Sequence, residues 1–159
     1  MRQPDLVLLH APSVYDFRTK AIMYGPLSDL IPSSPVFEMY PVGFMTLSSY
    51  LEERGYRVRI VNLALRMMED RGFDVENFLQ RLRPRLFGLD LHWLPHAQGA
   101  LEVSSLLKEL HPDTPIVFGG LSASYFHREL ASYPQVDYVI RGDAAEEPLY
   151  RLLEKLAGD

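Results

Sequence analysis

Five short, nearly continuous apolar runs constrain the fold of this chain more than any other feature of its sequence. Uninterrupted apolar residues, as opposed to alternating ones, are typical of strands that are buried on both faces, as in a parallel sheet. Three of the five runs are also rich in β-branched residues, which favour strands. The runs cover residues 6–9, 58–61, 86–91, 116–118 and 136–140.

The segments between the runs have helical periodicity. In the clearest one, apolar residues recur at positions 75, 78, 79 and 82, with Asp74 before them as N-cap and Pro84 after them. Similar patterns are centred on 44–51, 103–110 and 149–156, and a shorter one on 125–130 has Ser122 as its expected N-cap. Strands that alternate with helices predict a three-layer α/β/α sandwich. We expect one domain over 1–159, flavodoxin-like, with a five-stranded parallel sheet of order 2-1-3-4-5.

Charge and cysteine content exclude several classes of function. The 159 residues carry a net charge of −5, whereas proteins that neutralise nucleic-acid phosphates are normally basic. The chain has no cysteine, which excludes disulfides, thiolate zinc sites and cysteine-ligated iron–sulfur clusters within it. The first apolar run is too short for a membrane span or a signal-peptide core. We expect a cytoplasmic protein that binds neither nucleic acid nor membrane.

Parallel sheets bind ligands at the carboxyl ends of their strands, so the residues that follow each run are the candidate site. Paired glycines after the fourth strand would let the backbone approach a bulky ligand, and an indole after the third would either stack on a flat ligand or cover the core. A proline-rich connection over 11–41 is long enough to suggest a functional cover. The candidates are Ala11, Pro12, His92, Trp93, Gly119, Gly120, Leu121, Ser122, Arg141, Gly142 and Asp143.

The sequence motifs of several common protein families with such a sheet are absent. The turn after the first strand lacks G-x-G-x-x-G, and the chain has neither G-x-x-x-x-G-K-[ST] nor G-x-S-x-G. A phosphoreceiver domain would need acidic residues after strand 1 and a lysine after strand 5, where this chain has His10 and Arg141. His92 and His96 have metal-ligand spacing, but Pro95 interrupts them and no third ligand follows, so we predict no metal site.

Seven segments together resemble the N-terminal cobalamin-binding domain of radical S-adenosylmethionine (SAM) enzymes. This group includes the anaerobic Mg-protoporphyrin cyclase and many class B methyltransferases. The resemblance spans most of the chain and adds Pro41 and Gly43, from a P-x-G motif, to the expected site. The matching segments are 8–12 (LLHAP), 40–45 (YPVGFM), 47–51 (LSSYL), 52–58 (EERGYRV), 87–89 (FGL), 115–120 (PIVFGG) and 136–146 (VDYVIRGDAAE).

The resemblance implies a cobalamin bound at the carboxyl ends of the strands. The Asp-x-His-x-x-Gly motif that supplies an axial histidine in other cobalamin proteins is absent after strand 1, which implies binding that is base-off and without a histidine on cobalt. The resemblance also implies a downstream radical SAM catalytic domain, which would hold the SAM and the 4Fe-4S cluster. This chain would then not be catalytic alone. Two alternatives stay open: an interaction module of the same fold without the pocket, and a small flavodoxin-like enzyme.

Overall fold

A five-stranded, all-parallel sheet of order β2-β1-β3-β4-β5 forms the centre of the molecule, as the apolar runs predict. The computed structural model describes residues 3–19 and 41–158. Most of the predicted cover over 11–41, with Pro26, Pro32 and Pro35, therefore lies outside the described residues. The strands are β1 (Leu6–His10), β2 (Val58–Asn62), β3 (Leu86–Asp90), β4 (Ile116–Gly119) and β5 (Tyr138–Val139), the last of them shorter than its apolar run.

Helices join consecutive strands, and α7 follows β5. In the part of the chain that the structure describes, no helix is long and apolar enough to cross a membrane. The helices are α1 (Val42–Glu52), α2 (Leu63–Glu69), α3 (Val75–Gln80), α4 (Ala97–Leu110), α5 (Leu121–Tyr125), α6 (His127–Leu130) and α7 (Glu146–Gly158), and Leu94–His96 forms a 3₁₀ turn.

Three details of the helices differ from expectation. The sequence pattern did not predict α2, whose N-terminus is capped by the side chain of Asn62, which accepts a hydrogen bond from Leu65 N at 2.9 Å. The predicted N-cap at Ser122 is wrong, because Gly120, with φ of 110°, turns the chain directly into α5. The helical segment then breaks at Phe126, so two short helices stand where one was expected. The expected cap at Asp74 is confirmed.

Alternate residues of β1 bury into two separate cores, which gives the three-layer arrangement. Leu6 and Leu8 pack with α1 and α7 on one face of the sheet. Val7 and Leu9 pack on the opposite face, where α2 to α6 lie. Every residue of β1 is buried as a result, which explains why its sequence shows no alternation.

An ion-pair cluster fixes the amino end of the sheet. The Asp5 carboxylate accepts hydrogen bonds from Arg57 N at 2.9 Å and Arg57 Nε at 3.3 Å, and Arg85 Nε lies 3.6 Å away. Burial by itself would raise the pKa of Asp5, but the hydrogen bonds from Arg57 and the two guanidinium charges outweigh it. The pKa of Asp5 consequently lies below its ordinary value.

Candidate functional site

A cavity of about 590 Å³ opens at the carboxyl ends of β1, β3 and β4. It lies between the sheet and the pair of helices α1 and α7, on the face that holds the smaller core. The connections that leave β1 and β3 run to opposite faces of the sheet, so the cavity is at the topological switch point where this class of sheet binds ligands. A volume of this size is enough for a large organic ligand group.

Three residues in register across the sheet form the floor of the cavity. Leu8 of β1 pairs with Gly88 of β3, and Gly88 pairs with Val117 of β4. Gly88 has no side chain, and Leu8 Cδ2 packs over it, 2.8 Å from where a Cβ would lie. The walls are apolar and come from Phe44, Leu47, Ile140 and Leu149. The interior of the cavity therefore suits an apolar, flat group.

Polar side chains concentrate where the cavity meets the strand ends. His10 and Asp90 are the last residues of adjacent strands, and His10 Nδ1 lies 2.9 Å from each carboxylate oxygen of Asp90. A carboxylate can only accept, so Nδ1 carries the hydrogen of this pair. The His96 ring lies against that of His10, with 5.2 Å between centroids. His92 and the exposed Trp93 complete this side of the site.

The paired glycines after β4 have different surroundings. A Cβ at Gly119 would meet nothing within 4 Å, and Gly119 faces the cavity. A Cβ at Gly120 would lie 2.9 Å from the backbone of Leu91 and from the backbone nitrogen of His92. Gly120 is thus required by the close approach of the loop after β3, whereas Gly119 leaves room for a ligand.

Two serine hydroxyls connect the loops around the cavity. Ser124 Oγ donates to Gly120 O at 2.9 Å and accepts from Gly142 N at 3.0 Å, which joins the loops after β4 and β5. Ser122 Oγ donates to His92 O at 3.0 Å, which joins α5 to the loop after β3. These serines position the backbone that surrounds the site.

An exposed set of hydrogen bonds holds α1 and α7 together beside the cavity. Tyr50 Oη donates to Glu147 Oε2 at 2.6 Å, and Arg151 Nε donates to Glu147 Oε1 at 2.7 Å. The bond from Tyr50, and after it the bond from Arg151, lowers the pKa of Glu147. The Arg54 guanidinium stacks 3.5 Å from the centre of the Tyr50 ring. The two walls are therefore linked at their outer edge.

The structure gathers most of the sequence-predicted residues at one site. Those that line the cavity are Pro41, Gly43, His92, Trp93, Gly119, Gly120, Gly142 and Asp143. Leu121, Ser122 and Arg141 follow β4 and β5 at the same edge without lining it. Ala11 belongs to the core on the opposite face, and the carbonyl of Pro12 backs onto Gly99 of α4. The positions of Ala11 and Pro12 depend on how β1 packs in the folded chain, and the local sequence does not show them.

Sequence reasoning did not assign the His10–Asp90 pair or the cavity floor. A signal for the pair existed, because both residues end strands that the predicted order makes neighbours. No such signal existed for the cavity floor, where residues of three strands meet. Within residues 3–19 and 41–158, no group of three or more His, Asp or Glu side chains is arranged to hold a metal ion.

Comparison with known proteins identifies the family. The family model of the B12 binding domain matches residues 30–152. The chain belongs to the B12-binding domain family. No curated protein sequence matches this B12-binding domain. The match confirms the B12-binding domain predicted from the sequence segments, and it does not distinguish the radical SAM group or its cyclase-like subgroup from other members of the family.

Solved structures with a similar fold include the radical SAM methyltransferase TsrM from Kitasatospora setae. One TsrM structure, with tryptophan substrate and a SAM analogue bound, has a TM-score of 0.70 at 21% identity and covers 97% of the B12-binding domain. Another, with cobalamin and a [4Fe-4S] cluster bound, has a TM-score of 0.69 at 21% identity over 98% of it. The B12-binding domain spans only 26% and 27% of those two chains.

The same fold occurs in signalling proteins. The receiver domain of a sensor histidine kinase from Pseudomonas aeruginosa PAO1, with magnesium in its active-site cleft, has a TM-score of 0.59 at 14% identity. The match covers 98% of the B12-binding domain and 99% of the receiver. At these identities the likenesses concern the fold alone, and they confirm the flavodoxin-like arrangement predicted from the sequence.

Proposed function

We propose that this chain binds cobalamin at the carboxyl edge of its sheet and serves as the cobalamin-binding part of a radical SAM enzyme. The observation that carries the proposal is the apolar cavity beneath the edge of a B12-binding fold. The corrin ring would lie over the strand ends, and the nucleotide tail would enter the cavity. When bound, the cobalt of the corrinoid supplies the group-transfer chemistry, and the protein positions it.

The residues of the site fit the parts of this cofactor. A corrinoid is a large disc with a long tail that ends in an aromatic base. The open space at Gly119 admits the tail beside the strand end, and the apolar floor and walls accommodate the base. Trp93, 61% exposed at the mouth, is placed to pack against the disc. His92, Asp143 and Glu146, which also line the cavity, supply polar contacts for the amide-bearing rim.

The cofactor is proposed to bind base-off and without a protein histidine on cobalt. The loop after β1 lacks the Asp-x-His-x-x-Gly motif, and the His10 imidazole at the strand end is engaged by Asp90 through Nδ1. Electron paramagnetic resonance of the reduced cobalt is the direct measurement. We expect no nitrogen splitting that is lost in His10→Ala, His92→Ala or His96→Ala, and such a loss would overturn the absence of an axial histidine.

The proposed partner is a radical SAM catalytic domain, and several exposed apolar side chains support it. Val42 and Trp93, which line the cavity, are 71% and 61% exposed. Leu121 and Tyr125, in the helix that follows β4, are 58% and 79% exposed. Exposed apolar clusters of this kind are typical of interaction surfaces. The sequence alone also predicts Phe37, Met39 and Tyr40 in this apolar surface, and they lie outside the described residues. We propose methyl transfer for the whole enzyme, the activity of TsrM, whose cobalamin-bound structure contains the same fold.

The same apolar surface also suits the alternative, an interaction module that docks onto a catalytic domain without binding a corrinoid. Titration with hydroxocobalamin, followed by visible absorbance, separates the two functions. Stoichiometric binding with the spectrum of a base-off corrinoid would support the proposal. A chain that stays colourless after desalting, both alone and within the complete enzyme, would overturn cobalamin binding and favour docking.

A further inference from the structure

We propose that this chain forms a homodimer in which the open edges of two β2 strands pair antiparallel, so that two five-stranded sheets become one continuous sheet. Within residues 3–19 and 41–158, β2 pairs with β1 and with no strand on its other side, which we call the open edge. An edge of this kind is a template for pairing with another chain. No residue of β2 lines the cavity at the strand ends, so the interface is separate from the proposed cobalamin site.

The backbone of β2 presents alternate residues to the open edge. Arg57 O accepts a hydrogen bond from Leu6 N at 3.2 Å, so the backbone groups of Arg57 face β1. Successive residues of a strand direct their backbone groups to opposite sides, which turns those of Val58, Ile60 and Asn62 toward the open edge. The strand contains no proline, which would remove a donor from such an edge. Three consecutive outward-facing residues are therefore available to pair with a second strand.

A groove of about 520 Å³ borders residues 60–62 of β2 and leaves room for an added strand. Leu65 and Phe73 belong to its walls. Leu65 is 37% exposed although it is a large apolar side chain, and a strand in the groove would cover it. Exposed apolar surface beside outward-facing backbone suits a protein strand, which supplies apolar side chains and backbone partners together.

The charges along this edge match those of a second copy of the same edge. Arg57 and Arg59 are exposed at the amino half of β2, whereas Glu69 and Asp70 border the groove at the carboxyl half. The cation that also borders the groove, Arg66, lies over phenylalanine rings at 4.9 and 5.8 Å. An antiparallel pair places the amino half of each strand against the carboxyl half of the other, so arginines face carboxylates at both ends of a two-fold interface. A parallel pair would set arginines against arginines.

The register follows from the outward-facing residues. Ile60 is the middle one of the three, so pairing Ile60 with its own copy lets Val58 pair with Asn62 of the second copy at each end. Residues that pair by hydrogen bonds in an antiparallel ladder have Cα atoms about 5.5 Å apart. A disulfide can bridge this spacing. Because the chain has no cysteine, a single introduced cysteine reports only on contact with its own copy.

Cross-linking of Ile60→Cys tests this register. With the mild oxidant diamide, we expect the Ile60→Cys chain to form a disulfide-linked dimer. Tyr125→Cys is the control, because Tyr125 lies in α5, which follows β4, and is 79% exposed, so chance collisions would oxidise it more readily than position 60. If Ile60→Cys cross-linked no faster than Tyr125→Cys, the paired β2 edges would be refuted.

Sedimentation equilibrium measures the association of the unmodified chain, which we expect to be a concentration-dependent dimer. Arg59→Glu sets like charges against Glu69 and Asp70 of the second copy and should weaken the dimer by about tenfold or more. Adding Glu69→Lys and Asp70→Lys to that variant should restore most of the loss. Arg128→Glu is the matched control, an equal change of charge at an exposed arginine of α6, and should leave the dimer unchanged. A wild-type chain that stays monomeric, an equal loss in the control, or a failure of the added lysines to restore association would overturn the proposal.

Discussion

Replacing Gly99 in α4 by alanine tests how the segment after β1 is held in place. Gly99 N donates to Ser13 O at 3.1 Å, and a Cβ at Gly99 would lie 1.7 Å from the carbonyl oxygen of Pro12. Alanine in place of glycine within an ordinary helix stabilises a protein by roughly 1 kcal/mol. At this position we expect the opposite sign, because the new methyl group would overlap the backbone of a neighbouring segment.

The size of the expected destabilisation follows from the contact between the new methyl group and the Pro12 carbonyl. Real Cβ atoms essentially never approach another heavy atom within 3.0 Å, so the Pro12 carbonyl has to move by more than about 1 Å. A shift of that size disrupts the hydrogen bond to Ser13, worth about 1 kcal/mol, and adds overpacking strain of about 1–3 kcal/mol. After the gain in helix propensity is subtracted, Gly99→Ala should lower the free energy of unfolding by about 2 kcal/mol.

Urea denaturation followed by circular dichroism measures this difference. Gly43→Ala is the matched control, since Gly43 is also helical and a Cβ there would meet nothing within 4 Å. The control should be unchanged or more stable by up to about 1 kcal/mol. If Gly99→Ala were as stable as the wild-type chain, the close packing of residues 12–13 against α4 would be refuted.

Two further predictions concern the sheet ends. Asp5→Asn should lower the free energy of unfolding by about 1–3 kcal/mol at pH 7, because it removes a buried carboxylate that accepts from Arg57. Because the pKa of Asp5 is lowered in the folded state, its contribution to stability is present above the unfolded value of about 3.9 and is lost as the pH falls through the folded pKa. The stabilities of wild type and variant should therefore converge in acid. A stability difference that does not change with pH would contradict this prediction. Gly120→Val should lower the melting temperature markedly, because its backbone has φ of 110° and its Cβ would meet backbone atoms. Gly119→Val should melt within a few degrees of wild type but bind cobalamin at least tenfold more weakly. If instead Gly119→Val lowered the melting temperature markedly and Gly120→Val mainly weakened cobalamin binding, the different roles of the two glycines would be refuted.

The strands and most of the helices follow from local sequence because burial on both faces leaves a direct pattern. Continuous apolar runs predicted four of the five strands nearly to the residue, and the rule that crossovers are right-handed and short restricts the order of the sheet. β5 is shorter than its run, since it pairs with β4 only through Tyr138 and Val139. The helix α2 escaped prediction because its cap, Asn62, is itself the last residue of a strand.

Local sequence likewise predicted one part of the candidate site and not another. The sequence by itself determined that the functional residues follow the strands, since parallel strands bring all of their carboxyl ends to one edge. That alone brings together His92, Trp93, Gly119 and Gly142, which are far apart in the chain. It did not determine which face of the sheet holds the cavity, because both faces of a buried strand have the same apolar character.

Only the tertiary structure decided how residues distant in sequence share space. The cavity floor combines Gly88 with Leu8 and Val117, which belong to two other strands. The need for glycine at 120 comes from the backbone after β3, and the His10–Asp90 pair forms across 80 positions of the chain. Local patterns specify which residues are buried, because burial depends on period and composition. Distances across the sheet depend on how the helices pack, and no single segment of the sequence contains that information.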